Sequence, residues 1–142
     1  MVFMVNTVLG KLEASPYGAP NPPYNPATNT NPNYLPWHGH VTALTISPTA
    51  RRLGYATLLT SALEQQSDAH EAWFVDLFVR AGNEVAIRLY RGMGYSVWRR
   101  VVGYYQDDED AFDMRKPLSR DVEGKTVREG GEEERVEPSE VW

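Results

Sequence analysis

The sequence predicts a single α/β domain built on a mixed β-sheet, and three observations carry that expectation. Strand-like and helix-like patterns alternate through the chain in the order β–loop–β–α–β–α–β–β. Strands joined through helices argue for a parallel pair with helical cover. The last two strands are separated by a short acidic loop and can pair as a hairpin. A chain of 142 residues has room for one domain. Its predicted extent is residues 1–118, with a Pro/Asn-rich loop insert at 14–36 and an acidic tail at 119–142.

Residues 2–13 read as a strand with a polar end. The stretch 14–36 holds seven of the ten prolines and five asparagines, so neither helix nor ladder can run through it, and a long exposed loop is expected. Residues 38–47 form a strand that stops at Pro48, which has no amide to donate. Residues 52–67 form a helix with Tyr55, Leu58, Leu59, Ala62 and Leu63 on one apolar stripe. Residues 72–79 are apolar on both faces except at Asp76, the pattern of a central, buried strand. Asn83 suits the N-cap of a second helix, 84–93, lined by Val85, Ala86, Leu89, Tyr90 and Met93 and ended by Gly94. Residues 95–102 and 111–116 complete the strands. Beyond Pro117 the Glu/Arg/Gly-rich tail is expected to be disordered.

Composition excludes several classes. No apolar run approaches the roughly 18–20 residues that span a bilayer, and the first residues lack the pattern of a signal peptide. Cysteine is absent, which rules out disulfides and thiolate metal sites. A cytoplasmic protein is expected. The net charge of −5 sits on the tail and on Asp107 to Asp110, read as a solvated loop. Residues 1–105 carry eight bases against six acids, which suits an anionic small ligand and is too weak for nucleic acid.

The segment Arg51-Arg52-Leu53-Gly54-Tyr55-Ala56 lies between a strand and the first turn of a helix. The first helical amides lack intrahelical acceptors, and the helix dipole adds positive potential there. A pyrophosphate could accept several of them, with Gly54 allowing close approach and both arginines adding charge. Taken alone, R-x-x-G-x-A more often marks an ordinary strand-to-helix turn with solvated arginines. Walker and dinucleotide fingerprints are both absent.

That turn resembles the acetyl-CoA pyrophosphate loop of the GNAT acetyltransferases. The blocks 37–44 (WHGHVTAL), 74–80 (FVDLFVR), Asn83, Tyr90, 94–97 (GYSV), Tyr104-Tyr105 and 113–116 (DMRK) are similar to the catalytic subunits of N-terminal acetyltransferase B. The resemblance runs from about Gly10 to Asp121, interrupted by the Pro/Asn loop. It implies a GNAT fold and acetyl transfer from acetyl-CoA to the N-terminal amine of proteins beginning Met-Asp, Met-Glu, Met-Asn or Met-Gln. It also implies a large auxiliary subunit as partner and nascent chains at the ribosome as substrates. No metal is expected, because no Cys or nearby acid completes a site with the His38 and His40 pair.

Acetyl transfer needs a neutral amine, a held carbonyl and a proton donor for the departing thiolate. Tyr90 lies two helical turns after Asn83, so the two can face one groove. On spacing alone Tyr90 reads first as part of the helix's apolar stripe, since a stripe at this period is usually core. The resemblance makes Tyr90 the donor and gives Asn83 the pantetheine arm, with backbone groups of Leu44, Thr45 and Ile46 extending the sheet by a pseudo-strand. It assigns His40 and Thr42 to the second residue of the acceptor, Phe78 with Val79 to the acetyl group, and Tyr104 and Tyr105 to closure over the peptide. His38 shares a strand face with His40 and is left as a plain surface histidine.

The family fold begins with a strand, two helices and another strand that have no counterpart here. The strand at 2–13 is therefore expected to be an exposed sheet edge prone to self-association. Other readings of the same residues are a cofactor- or partner-binding fragment without catalysis, or a GNAT enzyme for lysine or small amines.

Overall fold

Unbroken burial from Phe74 to Leu77 marks β3 (Phe74–Arg80) as the strand on which the sheet is built. In the computed structural model, which describes residues 7–14, 25, 35–45 and 54–141, β3 lies parallel to β2 (His38–Thr45) on one side. On its other side β5 (Ala111–Pro117) runs antiparallel to it along its full length. The hairpin predicted for the last strands forms between β4 (Ser96–Val101) and β5, and its second strand inserts next to β3. β1 (Thr7–Glu13) closes one edge, antiparallel to β2.

The first face of the sheet carries Val75, Leu77, Val79, Val97 and Met114, all buried. Each such side chain contributes about 1.5–3 kcal/mol when fully withdrawn from water. Two helices cover this face, α1 (Tyr55–Ala69) and α2 (Glu84–Gly92). Both helices occur where the sequence predicts them, yet neither seats its predicted stripe fully.

In α1 the buried residues are Thr60, Glu64 and Ser67, whereas Tyr55 and Leu58 are exposed. The reason is local and steric. A Cβ on Gly39 would collide with the Ser67 hydroxyl, so α1 crosses β2 where both residues are small. Glu64 then finds the Tyr95 hydroxyl at 3.0 Å and Lys116 Nζ at 2.9 Å, which satisfies a carboxylate that would be costly to bury alone. In α2, Ala86, Ile87, Tyr90 and Met93 pack on the core while Val85 and Leu89 stay exposed.

The predicted disorder of residues 119–142 is overturned for the described residues 119–141. A 3-10 turn (Gly131–Glu133), the short strand β6 (Arg135–Val136) parallel to β4, and a second 3-10 turn (Pro138–Glu140) lie in this segment. Low apolar content argued against a self-made core, and the segment makes none. It is held instead by partners on the sheet's second face. Arg128 sits 3.5 Å above the Trp98 ring, and Arg99 donates to the Val141 carbonyl at 3.2 Å. Gly131 rests against the Val97 carbonyl where any Cβ would clash. Asp121 accepts from the Lys125 and Thr126 amides at 2.9 and 2.8 Å.

Candidate active site

Strands β2 and β3 are parallel only at Gly39–Val75, His40–Asp76 and Val41–Leu77. Past that rung they part company. Ala43 to Thr45 pair with β1, and Phe78 to Arg80 pair with β5. No ladder joins them to each other among the described residues. Backbone groups on the facing sides of the two strands therefore flank an opening suited to an extended, amide-bearing ligand.

A helix follows each of these two strands in the chain. Gly54, at φ +78°, precedes α1 and accepts from the Leu58 amide at 3.0 Å. That left-handed conformation is what selects glycine there, since nothing lies within 4 Å of a built Cβ. Tyr55 is exposed, Ala56 is half-buried, and no acidic residue occupies the first turn. Leu44 and Thr45 belong to β2, while Ile46, Arg51, Arg52 and Leu53 lie outside the described residues. Asn83 caps α2 as predicted, its side-chain oxygen accepting from the Ala86 amide at 3.2 Å. Tyr90, two turns later, is half-buried with its ring 6.0 Å from Tyr95. Burial pushes its phenol pKa up, so the group is a proton carrier at neutral pH.

The sheet's second face brings the other predicted residues together. His40 Nδ1 lies 2.7 Å from Asp76 Oδ1. Burial works against charge on this ring, but the hydrogen bond and charge of Asp76 outweigh it and raise the pKa above the ordinary value. The His40 ring meets Phe78 at 5.8 Å, Phe78 meets Tyr104 at 5.0 Å, and Tyr104 meets Tyr105 at 5.1 Å. These four rings form one continuous row. Arg80 stacks 4.1 Å over Tyr105 and pairs with Asp107 and Glu109. The acidic loop thereby holds the tyrosines in place, where the sequence suggested only solvation.

His38 corrects its own expectation: it is fully buried, stacked on Phe74 at 4.9 Å, with Nδ1 2.7 Å from the Pro36 carbonyl. Its Nε2 faces Glu13 at 3.4 Å. His38, with Lys11 adding, holds the Glu13 carboxyl down at about 2.

His40, Phe78 and Tyr104 line a cavity of about 230 Å³. That is below the roughly 300–1,000 Å³ of drug-sized pockets and suits the end of a chain. Thr42 shares the strand face of His40 but is exposed, and neither it nor Tyr105 lines the cavity. Sequence reasoning missed Lys11, Glu13 and Asp76, which line it, and also Pro138 and Val141. A lone acid in an otherwise apolar central strand was the available signal for Asp76, since a buried carboxylate needs a partner.

A parallel pair that opens after three rungs, with a helix starting beyond each strand, defines the GNAT fold. Residues 7–95 match the model of the Acetyltransferase (GNAT) family, and the chain belongs to that family. It is 54% identical over 109 residues to the catalytic subunit naa20 of the N-terminal acetyltransferase B complex of Schizosaccharomyces pombe. That alignment covers 74% of this chain and 61% of the relative, so the chain spans less than two thirds of that protein's length. Among solved structures, Naa20 of Chaetomium thermophilum, in complex with a bisubstrate analogue, superposes with a TM-score of 0.83 at 47% identity. The superposition covers 97% of this chain and 72% of that one. A NatB acetyltransferase complex bound to a bisubstrate inhibitor superposes at a TM-score of 0.69 and 33% identity, covering 96% and 69%.

Proposed function

We propose that this chain transfers the acetyl group of acetyl-CoA to the N-terminal amine of proteins beginning Met-Asp, Met-Glu, Met-Asn or Met-Gln. It does so as the catalytic subunit of a NatB-like complex with a large auxiliary subunit, on nascent chains at the ribosome in the cytoplasm. The observation that carries this reading is the pairing of two features on adjoining strands. One is the opening between β2 and β3. The other is the His40–Phe78–Tyr104 pocket, which is also lined by Asp76 and so includes the His40–Asp76 rung next to that opening.

The roles follow from the chemistry of each group. The pyrophosphate of acetyl-CoA lies at Arg51–Ala56, because the first amides of a helix lack intrahelical acceptors and the sequence places two arginines just before them. The pantetheine amides pair with the backbone of Leu44, Thr45 and Ile46, and the Asn83 side chain supplies a further donor through its amide nitrogen. The amine reaches Phe78 and Val79 uncharged in a usable fraction, because an α-amino group has a pKa near 8. Its nitrogen attacks the thioester carbonyl, and a C–N bond forms as the C–S bond breaks. Tyr90 gives its phenolic proton to the leaving sulfur, and the proton lost by nitrogen restores the phenol through water. His40, backed by Asp76, donates to the acceptor's second side chain with Thr42 beside it, and Tyr104 and Tyr105 close over the peptide.

An acetylation assay on Met-Asp, Met-Asn and Ser-Ala peptides, with and without the auxiliary subunit, tests the whole reading. Turnover of the first two alone is expected, and turnover of Ser-Ala at equal rate would refute the assignment. Tyr90→Phe is expected to lower kcat by about 10²-fold, the lower range of general acid catalysis, with acetyl-CoA affinity kept. An unchanged kcat would remove Tyr90 from the donor role.

A further inference from the structure

The acceptor pocket has a wall that the reaction scheme leaves without a role. Pro138 and Val141, from the end of the described chain, line the same cavity as His40 and Phe78. The segment that carries them is fixed at several points. The Arg100 and Val102 amides donate to the Glu134 and Val136 carbonyls at 2.8 and 2.9 Å, tying β6 to β4. Glu137 and Glu140 form a reciprocal capping box around the second 3-10 turn. The Val141 side chain is buried against Val101 and Ala111, with Phe78 and Tyr105 packed on the same cluster. Arg99, buried and paired with Asp113 at 2.9 Å, turns its other nitrogens to the Val141 carbonyl at 3.2 Å and the Glu140 carbonyl at 3.5 Å.

The pocket is thereby divided by chemistry. Lys11 and His40, each paired with a carboxylate that also lines the cavity (Glu13 and Asp76), offer hydrogen-bond donors, while Phe78, Pro138 and Val141 offer apolar surface. An acceptor with a long apolar first side chain and an acidic or amide second one matches both halves. We propose that Pro138 and Val141 form the surface that receives the acceptor's first side chain, with Arg99 as the residue that positions them. This rests on the acetyltransferase reading above and adds to it a source of discrimination at the first residue.

The test compares two peptides, Met-Asp and Ser-Asp at the start of an otherwise common sequence. Binding to the CoA-loaded full chain is measured by titration calorimetry for wild type, Val141→Ala, Pro138→Ala and Val122→Ala. Val122 is 90% exposed on the same segment and serves as the control. Val141→Ala is expected to weaken Met-Asp binding by about tenfold, the effect of withdrawing two methyl-sized groups from contact. Ser-Asp binding and CoA affinity are expected to change less than twofold, and Val122→Ala to change nothing. Pro138 is exposed outside the sheet core, so Pro138→Ala carries the comparison if Val141→Ala fails to fold. Arg99→Lys is expected to lower the Met-to-Ser preference in the same direction. An unchanged preference in folded variants, with wild type binding both CoA and peptide, overturns the inference and spares the acetyltransferase reading. Wild type that binds neither CoA nor peptide overturns both.

Discussion

Glu13, His38, Asp76 and His40 form a chain of alternating acid and imidazole along one sheet face, and its two ends, Glu13 and His40, respond to pH in opposite directions. The folded pKa of His40 is raised, so the stability it contributes is fully present below its unfolded value near 6.5. That stability is lost as pH rises through the folded value. Glu13 is the reverse case. Its folded value of about 2 against an ordinary 4.5 means its contribution is present above 4.5 and lost as pH falls toward 2. The contributions of Glu13 and His40 are therefore both fully present between roughly pH 4.5 and 6.5. Urea unfolding at pH 6 and pH 9 is expected to differ by about 1 kcal/mol on account of His40, a charge-assisted bond discounted for partial exposure. His40→Gln should flatten that difference, and an equal difference in the variant would locate its source elsewhere.

At the scale of elements, the sequence showed which segments are helices and strands, and the misfits share one cause. Periodicity locates β3 because burial on both faces leaves a continuous apolar run. It misplaces the inner face of α1 because that face is set by contact geometry: Gly39 against Ser67, and Glu64 between Tyr95 and Lys116. No single-segment pattern contains that information, since each partner lies at least 28 residues from its mate. The site divides in the same way. Asn83 was legible as a cap because a cap is local, and His40 was named through the family resemblance, whereas Lys11 and Val141 reach the pocket only through contacts across the sheet. Gly39→Ala tests the geometric account directly. Its Cβ would overlap the Ser67 hydroxyl, and overpacking of this kind costs about 1–3 kcal/mol. Ser67→Ala in the same chain should recover part of the loss, and purely additive effects in denaturant titrations would contradict the contact.

Among the described residues, the two faces of the sheet are covered by different means, and the cover is incomplete on one side and at one edge. Helices pack on the first face, and the segment 119–141 is bound to the second by cation–π contacts and charged hydrogen bonds. Leu58 and Val85 project from the helices at 64% and 81% exposure. β1 is the outermost strand, and among the described residues nothing pairs with its outer side. Leu9 on that strand is 57% exposed, beside the register irregularity at Gly10. An unpaired strand edge bearing an exposed leucine is a template for a second chain, because free amides and carbonyls can continue the ladder. The isolated chain is therefore expected to self-associate through β1, seen as a mass above 16.1 kDa that grows with concentration in sedimentation equilibrium. A charged side chain on an edge strand opposes such pairing without disturbing the pairing on its inner side. Leu9→Lys is expected to shift the distribution toward monomer with little change in thermal midpoint. Wild type that sediments as a single 16.1 kDa species at every concentration would sink the idea. Association that survives Leu9→Lys would move it from the β1 edge to the exposed faces of α1 and α2.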